Sequence, residues 1–148
     1  MTPVVVTIEV ARPAGRVFDY ATDPRTFVEW QEGVVEGHLE MSHPAAVGER
    51  CVTVRRIGFA NRASTSEFTV VEPPHRWSIR GLDGPIRARV DVRVESLTDQ
   101  RSRLTIAVDF EGHGIGRLLV PLVVVPQARR EMPANLNELR RRLEAEAQ

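Results

Sequence analysis

An α+β fold is predicted: a seven-stranded curved antiparallel sheet wrapped around one long C-terminal helix, with two short helices between strands 1 and 2. Three observations predict it. The stretch from Ile115 to Ala147 carries one apolar stripe at helical spacing: Leu118, Leu122, Val125, Ala128, Met132, Leu136, Leu139 and Leu143. Ile86, Ala88, Val90, Val92 and Val94 alternate with Arg87, Arg89, Asp91, Arg93 and Glu95, and Leu104, Ile106, Val108 and Phe110 alternate with polar residues in the same way. Such runs are strands with one wet and one dry face. Finally, six strand-like stretches follow the two short helices with no second long helix to cover them, so the terminal helix must cover the dry face.

Val4 to Val10 is strand one, with Val4, Val6, Ile8 and Val10 facing one way. Pro13 opens a short helix at the position where its missing donor costs nothing, and Val17, Phe18 and Ala21 form its buried side. Asp23-Pro24 repeats that signal for a second helix carrying Phe27, Val28 and Trp30, and Gly33 stops it. In strand two, Val35, Gly37, Leu39 and Met41 share a face opposite Glu36, His38 and Glu40; His43 to Gly48 is a loop. Cys51 to Ile57 is strand three, where Arg55-Arg56 blurs the alternation and leaves its faces open. Gly58 to Asn61 is a hairpin tip, and Ser64, Ser66, Phe68 and Val70 share a face of strand four, which ends at Pro73-Pro74. Trp77 and Ile79 mark strand five before the turn Gly81 to Pro85. Pro121, Pro126 and Pro133 each remove a backbone bond. The terminal helix is therefore expected to kink, or to split with its main piece starting near Gln127.

The 148 residues suit one domain, 1–148, with a core of its own. Net charge is zero, so no global field draws nucleic acid. Arg87, Arg89 and Arg93 alternate with core residues, are balanced by acids and lack interleaved aromatics, which reads as a solvated face rather than a nucleic-acid stripe. All 20 cationic residues are arginine, which excludes Schiff-base lysine chemistry and a Walker-type loop. Cys51 is the lone cysteine, so a reducing cytoplasm fits best. Met1 to Val10 lacks the pattern of a secretory signal, and Leu118 to Pro126 is too short to span a bilayer. No metal site is expected, since the spacing of His38, Glu40 and His43 matches no zinc signature. No cofactor motif is present.

Several phrases resemble the SRPBCC superfamily of START-like, helix-grip proteins, and within it the polyketide cyclase/dehydrase and lipid-transport group. They are Pro13 with Val17-Phe18-Asp19-Tyr20, Asp23-Pro24, Glu29-Trp30, Val47-Gly48, Glu72-Pro73-Pro74-His75-Arg76, Arg103-Leu104-Thr105, and Ala128-Arg129-Arg130-Glu131 with Asn135-Leu136 and Leu139. The resemblance implies the fold read above and a cavity between sheet and helix, flanked by Trp30 and Trp77. It says little of activity, because one fold hosts carriers, receptors, cyclases and co-chaperones.

The ligand-lining candidates are Trp30, Phe59, Phe68, Trp77, Leu82, Val90, Val92, Ile106, Val108, Phe110, Ile115, Leu118, Leu119, Leu122 and Met132. For the aromatics the alternative is plain core. The turns at Gly58 to Asn61 and Gly81 to Pro85 resemble gating loops, the alternative being ordinary glycine hairpins. Leu82 on one tip, with Ile115, Leu118 and Leu119 opposite, would make an apolar mouth suited to a membrane or protein contact. Ser64, Ser66, Glu67, His113 and Arg117 are polar candidates for orienting or acid–base roles; His113, Arg117 and Ser66 are the catalytic candidates. The leading expectation is a binder of a small hydrophobic molecule of lipid, polyketide or isoprenoid type. A polyketide cyclase/aromatase-type enzyme using the same cavity is the alternative, and a co-chaperone or scaffold with a vestigial cavity is the third.

Overall fold

A computed structural model of the chain describes residues 3–39, 46–57 and 59–147. Seven strands form one antiparallel sheet: β1 (Val4–Val10), β2 (Val34–Leu39), β3 (Arg50–Ile57), β4 (Ala60–Glu72), β5 (Arg76–Gly81), β6 (Ile86–Thr98) and β7 (Arg101–Gly112). Their order is β1-β7-β6-β5-β4-β3-β2, so β2 to β7 lie side by side in chain order and β1 pairs with β7 at the far side. Between β1 and β2 lie α1 (Ala14–Thr22), a 3₁₀ turn (Pro24–Thr26) and α2 (Phe27–Trp30). The Asp23 carboxylate accepts from the Arg25 N–H and caps that turn, as the Asp-Pro signal requires.

Cross-strand register settles which side chains share a face. Val4 pairs Val108, Val6 pairs Ile106 and Ile8 pairs Leu104; Val92 pairs Ile106, Trp77 pairs Val92 and Phe68 pairs Ile79. All point to the concave side, where Val92, Leu104, Ile106, Trp77 and Phe68 are buried. The expected dry faces of β6 and β7 are therefore the ones that meet the helices.

Two bulges correct the assignments in β2 and β4. A register shift between Val34 and Glu36 buries Val34 and turns Val35 out to solvent. A shift between Phe68 and Val70 makes Val71, not Val70, the partner of inward-facing Trp77. Each extra residue flips the side chains beyond it, because strand periodicity is two. Glu40, Met41, His43 and Gly58 lie outside the described residues.

The terminal helix is neither broken nor a uniform α-helix. It runs as α3 (Gly116–Leu119), a π-helical turn (Val120–Val124) and α4 (Val125–Ala145), 30 residues in all. The Val125 N–H bonds the Val120 carbonyl, an i→i+5 closure. This widened turn lies between Pro121 and Pro126, neither of which has an N–H to give the α pattern. Pro133 is carried inside α4. The extra residue rotates the expected stripe: Val120, Val125, Met132, Leu136, Leu139 and Leu143 are buried, whereas Leu118 and Leu122 face solvent. At the far end, Arg12 Nη1 donates to the Leu143 carbonyl at 2.9 Å and Arg16 Nη2 pairs with Glu146 at 2.6 Å. Cations at a helix C-terminus meet its orphan carbonyls and the negative end of its dipole.

Candidate functional site

The concave face has two unlike halves. On β5, β6 and β7 it is apolar: Ile79, Val90, Val108 and Phe110 point inward. On β3 and β4 it is polar. Cys51 pairs Ser66, Thr53 pairs Ser64 and Arg55 pairs Arg62, which puts Thr53, Arg55, Arg62, Ser64 and Ser66 on the side of buried Cys51 and Phe68. Val90, Val108 and Phe110 are only half-buried, although the residues deeper on the same strands are fully covered. Side-chain cover thus thins toward the β5–β6 turn, where the concave face forms a hollow open to water.

Arg55 marks that hollow. Its Nη2 donates to Gln31 Oε1 at 2.8 Å, at the end of α2. Burial lowers its pKa from the ordinary arginine value, opposed by the charge of Glu131 on α4. The guanidinium's one hydrogen-bond partner among the described residues is thus Gln31. The side chain is nevertheless solvent-accessible. Close by, Trp30 stacks edge-on to Phe27 (5.9 Å between centroids), and Phe27 in turn meets Trp77 at 6.4 Å. Trp30 Nε1 is buried with no hydrogen-bond partner among the described residues. A buried donor left over in this way is a position where a guest oxygen would be satisfied.

The family described as Polyketide cyclase / dehydrase and lipid transport matches residues 1–144. The chain belongs to this family. Its fold is that of START-like, helix-grip proteins, as its structural neighbours show. An aromatase/cyclase, ZhuI from Streptomyces sp. R1128, superposes with a TM-score of 0.81 at 16% identity, covering 99% of this chain and 95% of that one. TTHA0849 from Thermus thermophilus gives 0.77 at 17% identity over 99% of both chains. A START superfamily protein from Mycobacterium smegmatis gives 0.71 at 13% identity, over 99% and 97%. No curated protein matches the sequence.

Within this helix-grip frame the sequence candidates separate into groups. Phe68, Trp77, Val92, Ile106 and Met132 are buried in the core beneath the hollow, and Trp30 belongs to the same cluster. Val90, Val108 and Phe110 face the hollow itself, as do Ser64 and Ser66. Leu119 is half-buried, while Phe59, Ile115, Leu118 and Leu122 stand in solvent at the mouth end. Glu67 lies on the outer face, 3.3 Å from Arg80. Leu82 and His113 line a recess of about 520 Å³ together with Arg80, Arg87, Arg89, Asp109 and Glu111, and Ala88 and Phe110 reach it as well. His113 Nε2 is 3.0 Å from Glu111 Oε1 there, and Arg117 is exposed on α3. His113 and Arg117 are therefore not brought together with Ser66. A smaller groove of about 290 Å³ runs between α2 and α4 past Trp30, Gln31 and Asn135. Among the described residues no cluster of His, Cys, Asp or Glu could hold a metal, and no helix is long and apolar enough to cross a membrane.

Sequence reasoning missed Arg55, Gln31 and Glu131. A signal for Arg55 existed: counting by two from Cys51 through Thr53 reaches it, a charge on a dry face. Gln31 and Glu131 gave none, since their meeting with Arg55 depends on helix placement.

Proposed function

We propose that the hollow binds an amphiphile, an apolar body with an anionic or carbonyl-bearing head, and that Arg55 holds the head. The single observation behind this reading is an arginine on the concave face, held by Gln31, with the half-buried apolar side chains of β6 and β7 on that same face. Gln31 supplies one neutral acceptor, leaving most of the five guanidinium donors for a guest. Val90, Val108 and Phe110, packed against the core from below and half-buried, offer the body an apolar surface. Ser64 and Ser66 add hydroxyls on the head side. Membership of a family that includes lipid transport supports the guest class. Titration with the fluorescent fatty acid cis-parinaric acid tests it: Arg55→Leu should bind about tenfold more weakly, roughly 1.4 kcal/mol. Equal affinity in the two proteins would remove Arg55 from the site.

A second reading follows from the same residues. Folding a poly-β-ketone needs a donor at the developing enolate oxygen and a base for the carbon acid. Arg55 can be the donor but not the base; Glu131, whose charge reaches Arg55, supplies a carboxylate. The ZhuI neighbour is an aromatase/cyclase, which favours this reading at the level of fold alone. Glu131→Gln should then abolish cyclisation of a poly-β-keto thioester while leaving its affinity within about twofold. The lone buried thiol of Cys51 suits a reducing compartment, the cytoplasm being the simplest.

A further inference from the structure

Three connections share the mouth end of the sheet. The β3–β4 tip closes where Ile57 pairs Ala60. The β5–β6 turn is tied to β4 by the Asp83 carboxylate accepting from the Thr65 N–H at 3.0 Å. The β7–α3 link is tied to that turn by the His113 N–H and the Pro85 carbonyl at 2.8 Å. Large apolar side chains project from this end into water: Phe59 wholly, Leu122 at 72%, and Leu118 and Ile115 at 66% each. Val123 beside them is 50% exposed. Isolated exposed apolar residues need no explanation, but a set gathered at one end does.

The two segments that carry them are basic, while the β5–β6 turn between them holds Asp83 and His113 has Glu111 beside it. Residues 55–62 hold Arg55, Arg56 and Arg62 and no acid; residues 112–130 hold Arg117, Arg129 and Arg130 and no acid. Since the whole chain is neutral, the rest of it is acidic by the same amount. Among the described residues Arg56, Arg62, Arg117, Arg129 and Arg130 form no ion pair; of the arginines elsewhere some pair with Asp91, Glu138 or Glu146, and others, Arg87 and Arg89 among them, do not. Apolar side chains carried on basic segments are complementary to a layer that is anionic outside and apolar inside.

We propose that this end docks on an anionic membrane surface, with Phe59, Leu118 and Leu122 entering the acyl boundary and the arginines meeting phosphate head groups. The apolar side chains lie on two separate segments, Phe59 on one and Ile115, Leu118 and Leu122 on the other. A fluid apolar phase accepts such a surface without shape complementarity. The docked orientation turns the hollow's mouth toward the bilayer and makes the bilayer the source of the guest; that last step rests on the binding role proposed for the hollow.

Flotation with lipid vesicles tests the docking directly. The protein should float with phosphatidylglycerol/phosphatidylcholine vesicles and much less with phosphatidylcholine alone. Added salt should weaken the anionic component. Leu118→Glu/Leu122→Glu should lower partitioning about tenfold. Arg129→Gln/Arg130→Gln should lose the preference for phosphatidylglycerol yet keep its affinity for cis-parinaric acid in vesicle-free solution, so docking and guest binding are read separately. Unchanged circular dichroism spectra show that the variants are folded. Absence from the floating fraction on anionic vesicles, which would leave the patch to a protein partner, overturns the proposal. So does equal flotation of both variants and the parent protein.

Discussion

Arg55 and Gln31 meet beside the hollow, the guanidinium Nη2 donating to the amide Oε1 at 2.8 Å. One comes from the third strand and the other from the end of the second helix, so this bond fixes a cation in a place where apolar packing alone would exclude it. Gln31→Leu removes the acceptor without touching the charge. Affinity for a fatty acid is expected to fall about threefold, because the head must then order Arg55 as well as bind it. Arg55→Leu should bind more weakly still, while its melting temperature changes little, since the side chain is solvent-accessible and has one neutral hydrogen-bond partner. A fall in both affinity and stability would mean that Arg55 serves the fold and not a guest.

Packed and unpacked positions on the concave face should respond in opposite ways to a change in size. Leu139 is fully buried under the sheet; Leu139→Ala is expected to cost about 2–5 kcal/mol in urea unfolding. Val108 is half-buried and faces the hollow. Val108→Phe should leave stability within about 1 kcal/mol and yet block cis-parinaric acid, because added volume goes into open space and not into a filled core.

How much of this was legible beforehand depends on what each residue needed to know. The strands β6 and β7 declared themselves, since alternation is a local property and nothing interrupts it between Ile86 and Val94. The end of β4 did not, because the bulge at Phe68/Val70 is visible only in the pairing with β5. Likewise the helical stripe was legible from Val125 onward, where α4 is regular, and misphased before it, where two prolines force a wide turn. The candidate site shows the same division. Apolar walls were readable as strand faces. The polar half was obscured because Arg55 and Arg56 stand side by side, and only the register says which of them turns inward.

Gly116 holds the mouth together at close quarters. A methyl group there would run into the Pro85 carbonyl, backbone against backbone. Gly116→Ala is therefore expected to cost roughly 2–4 kcal/mol and to detach α3 from the β5–β6 turn. Denaturant unfolding measures the first effect, and faster amide exchange at His113, whose N–H bonds Pro85, reports the second.

Acid should weaken the fold through carboxylates held below their ordinary range. Burial pulls the Asp91 pKa upward, but hydrogen bonds from Ser78, Arg93 and Arg76 outweigh it and leave it lowered. Glu138, hydrogen-bonded by Arg141 and Arg142, is lowered from 4.5 to about 2. A carboxyl with a lowered folded-state pKa stabilises the protein above its unfolded value and loses that contribution as pH falls through the folded one. Melting temperature should accordingly drop between pH 4.5 and about 2, the window Glu138 defines. Asp91→Asn should flatten that slope more than Glu138→Gln, since exposed pairs are screened by solvent.

The most direct measurement is a crystal structure of the protein grown with an excess of a long-chain fatty acid. The carboxylate is expected within hydrogen-bond reach of Arg55, with the chain lying along Val90, Val108 and Phe110. Density for the acid in the recess beside Arg87 and Arg89, or water alone between sheet and helix, would contradict the assignment of the hollow as the binding site.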